Sequence, residues 1–413
     1  MNKEKNTLIP EIRFPEFVNE NKWEEKKLGE IGEPLMCKRI LKEQTTTNPK
    51  NSIPFYKIGT FGKEADAYIP IELFKDFKNK YSFPKIGDIL ISASGTIGRL
   101  VVYDGLPAYF QDSNIVWLGN DESIVLNSFL FHCYSTIKWQ TSDGGIISRL
   151  YNSDIKNIKI SYPKNFKEQQ KIASCLSSLD ELIAAHNQKL NILKDHKKGL
   201  MQNLFLQDGE TVPKYRFPEF INDGEWIEKS LGSVAEIVTG STPITSETIN
   251  YNGNKLFVSP ADINDSRYVI KTKNTLSDIG FSKIRKIKAN SVLFVCIGST
   301  IGKIAQNKFE CATNQQLNSL IPFEENSSDF LYSILDFNST KIASLAGNHA
   351  VPIINKTSFS TIKLGFPPTS NEQQKIGACL LFLDDLITAQ MDKLEQLKLH
   401  KKGLIQCLFP KTI

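Results

Sequence analysis

No apolar run in this sequence approaches the roughly 20 residues that a membrane-spanning helix needs. The opening stretch, MNKEKNTLIPEIRFPEF, has no apolar core of the kind a secretory signal carries, so a cytoplasmic protein with no membrane attachment is expected. Cysteine is scarce, and its seven copies form no CxxC pair, which reads as reduced thiols and argues against a disulfide framework. The five histidines are scattered, with no HExxH and no Cys/His cluster, so a metal site has no support. Charge of neither sign dominates: the formal net charge is +5, which permits a nucleic-acid partner without demanding one. With 40% hydrophobic residues the composition is that of a folded chain, and 413 residues are enough for two cores.

One stretch looks at first like a phosphate-binding loop. CIGSTIGKI, Cys296 to Ile304, follows the strand-like SVLFV and sets Lys303 after Gly298 and Gly302. A P-loop needs four residues between its glycines, and a Ser or Thr after the lysine to hold Mg²⁺. Here three residues separate the glycines, and Ile304, which has no oxygen to offer, follows the lysine. A strand, a glycine turn and a second strand fit better.

The same pattern occurs earlier as ISASGTIGRL, Ile91 to Leu100, and a motif found twice belongs to a repeated module. The repeat covers nearly the whole chain. RFPEF stands at Arg13 to Phe17 and at Arg216 to Phe220, each followed by a tryptophan and a Lys-x-Leu-Gly pattern, Trp23 to Gly29 and Trp226 to Gly232. A variable stretch with short strand-like runs comes next in each half. Each half closes on a near-identical segment beginning EQQKI, Glu168 to Phe205 and Glu372 to Phe409.

The closing segments are helical by pattern. Leu176, Leu179, Ile183, His186, Leu190, Leu193, Lys197, Leu200 and Leu204 step by three and four residues, and Leu380, Leu383, Ile387, Gln390, Leu394, Leu397, Lys401, Leu404 and Leu408 repeat the series. A 3.5-residue spacing held over four heptads predicts a coiled-coil seam. A helix of this length, roughly 57 Å, is longer than a small domain can bury, so each long helix should pair with the other. Pro163 and Pro367 stop the helices from starting earlier. His186 and Gln390 hold equivalent seam positions and read either as a buried polar pair fixing register or as a half-exposed stretch of seam. One heptad inserted after Leu193 and another after Leu397 should lengthen both helices while keeping their apolar faces aligned.

This organisation resembles the specificity subunits of type I restriction-modification systems. The resemblance rests on paired EQQKI…LD…KKGL…LF helices, paired RFPEF…W…K.LG segments and paired Thr-Ile-Gly turns, in the same order in both halves. It implies an α+β chain: two α/β-type target recognition domains joined by two long helices that form an antiparallel coiled coil, with an internal pseudo-two-fold repeat. The corresponding boundaries are 1–165 for the first recognition domain, 166–207 for the central helix, 208–369 for the second recognition domain and 370–413 for the C-terminal helix. The resemblance also implies a non-catalytic, DNA-binding chain. Each domain would read one half of a split target in double-stranded DNA, and the helices would dock two adenine-methylating subunits. Restriction and translocase subunits would complete the complex. S-adenosylmethionine, ATP and Mg²⁺ would belong to those partners, and no cofactor to this chain.

Base reading calls for Arg, Lys, Asn, Gln, Ser or Thr on loops that can enter a groove. The candidates are Arg99, Gln111, Asn114, Arg149 and Asn152 in the first domain, and Lys303, Asn314, Gln315, Gln316, Asn348 and His349 in the second. Lys283, Arg285 and Lys286, within a basic run facing a single Asp278, are candidate phosphate contacts. Two other readings stay open, a coiled-coil adaptor without a DNA role and an enzyme binding a nucleotide at Gly298–Lys303.

Overall fold

The computed structural model describes residues 8–139, 149–347 and 351–410. The chain divides into two compact units, 1–184 with 395–413, and 185–394. Each long helix therefore contributes one part to each unit. In chain order the elements that position the site are β1 (Gly32–Leu35), β2 (Ile89–Ser92), β3 (Leu100–Val102), β4 (Ile115–Asn120), α1 (Asn127–Thr136) and α2 (Phe166–Leu204), then β5 (Ala235–Thr239), β6 (Tyr268–Val269), β7 (Val292–Val295), β8 (Ile304–Asn307), β9 (Leu317–Pro322), α3 (Ser328–Ser344) and α4 (Ser370–Leu408).

In the first unit β1, β4, β2 and β3 lie side by side in that order, every neighbour antiparallel. The central strand β2 is buried on both faces, which is why it reads as a continuous apolar run. Trp23 and, from α1, Phe129, Leu130 and Tyr134 join Leu176 of α2 and Leu408 at the end of α4 in one core. Trp23 sits edge-on to Phe129 and Phe409, with centroids 5.6 and 5.8 Å away. The second unit carries a larger sheet in the order β5-β9-β7-β8-β6, antiparallel except for β6 beside β8. Its main core joins Trp226 and Phe330 to Leu204 at the end of the first long helix, to Phe205 just after it, and to Ile376 and Leu380 of the second.

Both units close their variable segment in one way. Glu24–Lys27 pairs antiparallel with Lys159–Tyr162, and Ile227–Ser230 with Lys363–Phe366. The chain enters and leaves each variable segment on adjacent strands.

The repeated motifs meet at that point. Arg13, the arginine of RFPEF, donates from Nε and Nη2 to Glu168 Oε1 and Oε2 at 2.6 and 2.7 Å. Trp23 Nε1 donates to the same carboxylate at 3.3 Å. Arg216, Trp226 and Glu372 repeat the arrangement at 2.8, 2.7 and 3.3 Å. Both carboxylates are fully buried, so each relies on its bidentate arginine and indole N–H to replace water. Hydrogen bonding to Glu168 and Glu372 raises the pKa of each guanidinium. The next residue is also committed: Gln169 Nε2 donates to the Ile124 and Pro163 carbonyls, and its Oε1 accepts from Leu126 N–H.

The two long helices each run 39 residues, about 58 Å at 1.5 Å per residue. Asn165 Oδ1 accepts from Lys167 N–H at the start of α2. Leu176, Leu190, Leu204, Leu380, Leu383, Ile387, Gln390, Leu394, Leu397 and Leu408 are buried, and Leu179, Ile183, His186, Leu193, Leu200 and Leu404 half-buried. The helices run antiparallel. In the second unit His186 meets Gln390 and Lys197 meets Asp384 at 2.7 Å. In the first unit Asp180 meets Lys401. The aspartate of the LD motif thus pairs with the first lysine of KKGL on the opposite helix in both units. Gln390 Nε2 lies 2.7 Å from His186 Nδ1 and donates to the His186 carbonyl at 2.8 Å, a polar pair at the seam with Gln390 buried and His186 half-buried.

No helix among the described residues is long and apolar enough to cross a membrane.

Candidate nucleic-acid interface

In each unit the glycine turn sits at the end of the sheet and gathers polar side chains from three stretches of chain. In the first unit it joins β2 to β3. Ser92 N–H donates to the Arg99 carbonyl at 2.9 Å, and Gly98 N–H to the Ser92 carbonyl at 3.0 Å. Gly98 has φ +82°, and a Cβ there would stand 2.2 Å from the Trp139 ring, so only glycine fits. Ala93 N–H donates to the Asn114 carbonyl, and Leu150 N–H to the Ala93 carbonyl, both at 2.8 Å. These bonds bring Arg99, Asn114 and Arg149 to one rim.

The side chains brace that rim. Ser94 Oγ donates to Asn114 Oδ1 at 2.8 Å, Arg149 Nη2 to the Ser113 carbonyl at 2.9 Å, and Arg99 Nη1 to the Phe61 carbonyl at 2.7 Å. Gln111 Oε1 accepts from Ile58 N–H at 2.9 Å. Each arginine still has guanidinium N–H groups beyond these bonds, and Gln111 its amide NH₂. Asn152, the first residue of the short helix Asn152–Asn157, is exposed.

The second unit is built alike, with a turn one residue longer between β7 and β8. Val295 N–H donates to the Lys303 carbonyl at 2.9 Å, and Gly302, at φ +95°, donates to the Val295 carbonyl at 3.0 Å. Cys296 N–H donates to the Gln316 carbonyl, and Ile354 N–H to the Cys296 carbonyl. Asn314 and Gln316 satisfy one another: Asn314 Nδ2 donates to Gln316 Oε1, and Asn314 Oδ1 accepts from Gln316 N–H. Gln316 Nε2 also donates to the Ile297 carbonyl at 3.4 Å. Gln315, between them, is exposed, and its Oε1 accepts from Thr242 Oγ1 at 2.6 Å, leaving its amide NH₂ outward. Lys303 Nζ donates to the Ile263 carbonyl at 3.1 Å. Asn348 and His349 lie outside the described residues.

The Gly298–Lys303 segment is therefore the hairpin loop between antiparallel strands. A P-loop leads into a helix whose N-terminus faces the phosphates, and here a strand follows instead. Nor is Cys296 a poised nucleophile, because burial pushes its thiol up to about 12.

The basic run is not a single patch. Lys283 Nζ donates to Glu247 Oε2 and Asn250 Oδ1, both at 2.9 Å. Arg285 Nη1 donates to the Thr239 carbonyl at 2.6 Å, at the exit of β5. Lys286 Nζ lies 5.4 Å from the Phe281 ring centre. All three side chains are exposed, and of these only Arg285 reaches the end of the sheet where the turn lies.

Arg267 carried no signal at the level of sequence. It is 3% exposed, donates to Gln306 at 2.6 Å and to Asp384 at 2.9 Å, and pairs with Asp329 at 2.5 Å. Its guanidinium carbon stands 4.3 Å from the Tyr332 ring centre. Because Asp384 also holds Lys197, this network ties the recognition part of the second unit to both long helices. Arg267 belongs to no repeated motif, and only its partner Asp384 was marked by the repeat.

Two sheet-bearing units on paired helices, each with a polar turn at its sheet end, define a class of internally doubled α+β protein. A family model described as the type I restriction modification DNA specificity domain matches residues 20–195 and again 223–399. The chain belongs to that family. A putative type I restriction enzyme specificity subunit of Haemophilus influenzae, S.HindORF215P, is 58% identical over 156 residues, 38% of this chain and 40% of that relative. The chain thus spans less than half of that protein. The putative MjaX specificity subunit of Methanocaldococcus jannaschii is 24% identical over 95% of this chain and 97% of its own length. Among solved structures, a type I restriction-modification S subunit from M. genitalium shares the fold, with a TM-score of 0.69 at 17% identity, covering 98% of this chain and all of that one.

Proposed function

We propose that this chain is the sequence-reading subunit of a type I restriction-modification complex. Each recognition unit reads one half of a split duplex target, and the long helices dock two methylase subunits. Restriction and translocase subunits join the same assembly. The observation that carries this reading is the double family match, which falls once on each structural repeat. The chain supplies no catalytic residue; S-adenosylmethionine, ATP and Mg²⁺ act on the partner chains.

In the first unit Arg99, Gln111, Arg149 and Asn152 offer unused donors toward base edges or phosphates, while Asn114 holds the turn. In the second unit Gln315 is the reader, held by Thr242 beside Asn314 and Gln316, and Arg285 at the β5 exit and Lys303 of the turn are its candidate phosphate contacts. A glutamine amide reads adenine through its N6 and N7 edge.

The test is to map modified bases in DNA from cells that express the chain with its methylase partner. The expected result is one split motif carrying methyladenine in both halves. Methylation that remains unpatterned, although the complex assembles, overturns the reading and favours an adaptor without a DNA role.

A further inference from the structure

We infer that the two recognition units grip the DNA backbone unequally, and that a phosphate-binding cleft formed by Arg39, Lys42 and Lys57 belongs to the first unit alone. This deepens the DNA-reading function proposed above and rests on it. The cleft encloses about 400 Å³, and its walls include those three cations together with Gln111 and Asp112.

Three observations support a phosphate ligand. First, Arg39 and Lys42 are exposed and form no ion pair with any described carboxylate, whereas Lys57 is partly neutralised by Asp66 at 2.9 Å. Unpaired cations converging on a cleft are the chemistry that a phosphodiester exploits, with arginine able to bind two oxygens at once. Second, Gln111 is shared between the cleft and the turn. Its backbone N–H donates to Tyr56 and its carbonyl accepts from Ile115, so the cleft continues the rim that carries Asn114 and Arg149. A backbone strand seated here would bring a base edge within reach of the Gln111 amide. Asp112, in the same wall, disfavours phosphate on its own side and so directs the strand toward Arg39 and Lys42.

Third, the second unit is built differently at the matching place. Its first sheet strand, β5, is followed by GSTPITSETINYNGN, residues 240–254, which holds no lysine or arginine. Lys283, which reaches that region, is already paired with Glu247. Among the described residues Arg285 is the cation bonded at the β5 exit, and it comes from a later stretch of chain. At this place, beyond the first strand of the sheet, the first unit should therefore carry more of the salt-sensitive part of binding than the second.

The experiment uses the full chain assembled with its methylase partner, and a duplex carrying the mapped motif. Equilibrium binding is measured from 50 to 200 mM salt for the wild type, for Arg39→Gln/Lys42→Gln and for Lys283→Gln. Each lost phosphate contact lowers the slope of log K against log salt by about 0.9, so the double variant should lose about 1.8. Across that fourfold salt range, wild-type affinity should then fall about tenfold more than that of the double variant. Lys283→Gln should change the slope by less than one contact. The methylated motif should stay the same in all three, because phosphate contacts carry no sequence information.

A double variant that binds with the wild-type slope sinks the cleft while leaving DNA reading intact. A changed first half-site would show that Arg39 or Lys42 reads bases and would equally overturn it. If the wild-type complex retains no duplex selectively, the functional reading itself has failed. The single variants, each altering one exposed side chain, serve if the double variant does not assemble.

Discussion

At the scale of single residues, burial decides which polar groups hold the fold and which stay available. His132 of α1 is fully buried, with Nε2 3.2 Å from Ser177 Oγ and Nδ1 without a partner. Burial, and then Lys401 nearby, lower its pKa to about 4, against the opposing pull of Asp180. The folded chain therefore keeps His132 neutral, while the unfolded chain takes up a proton below about 6.5. A group that binds its proton more readily when unfolded makes stability fall as the pH is lowered through that interval. Between pH 6.5 and 4 the loss from this one group amounts to about 3 kcal/mol. Thermal melting of wild type and His132→Gln at stepped pH should show the wild type losing more of its stability over that range. Parallel pH profiles would show that His132 does not titrate as its surroundings require.

Elements follow from the sequence wherever one rule governs a long stretch. The two helices were legible because heptad spacing holds for nine successive seam positions, and the β7–turn–β8 hairpin because an apolar run, a glycine pair and a second run leave little choice. The arginine–glutamate latches were not legible, although both motifs were, because Arg13 and Glu168 are 155 residues apart and nothing local says they meet. The reading side chains were half legible. Residue type marked Asn314, Gln315 and Gln316 alike, but only the turn geometry shows two of them facing inward. At the seam, the His186–Gln390 pair adds a satisfied polar contact to the Lys197–Asp384 and Lys401–Asp180 ion pairs. Polar seam pairs lower stability and specify register. Replacing both by leucine should raise the melting point, by about 1–2 kcal/mol of stability, while admitting a second register or oligomer. Native mass spectrometry with cysteine crosslinking along the seam reads this directly. A single species with the original crosslinks would mean that the pair does not set register.

For the whole molecule, helix length is the property that a split target would sense. One added heptad lengthens a helix by roughly 10.5 Å, about three base pairs of rise. Placing the insertions after Leu193 and Leu397 does not keep the seam in register. Leu193 lies between His186 and Lys197, whose partners are Gln390 and Asp384, so the stretch facing it is Asp384 to Gln390. The matching insertion belongs after Ile387, and one after Leu397 would slide His186 past Gln390. With heptads after Leu193 and Ile387, the methylated motif should keep both half-sites and gain about three base pairs between them. An active variant with an unaltered spacer would remove the helices from that role.

The adjacent entry and exit strands of each recognition domain have a consequence for heredity. Glu24–Lys27 pairs with Lys159–Tyr162, and Ile227–Ser230 with Lys363–Phe366, so everything variable hangs from one ladder bracketed by near-identical text. A crossover between two genes within RFPEF and EQQKI would transplant a complete reader together with the buried arginine and glutamate that seat it. Since the same words bracket both copies, a crossover between the halves of a single gene could move a reader from one position to the other. A lineage carrying such a gene could acquire a new target in one recombination event, without passing through a chain that fails to fold.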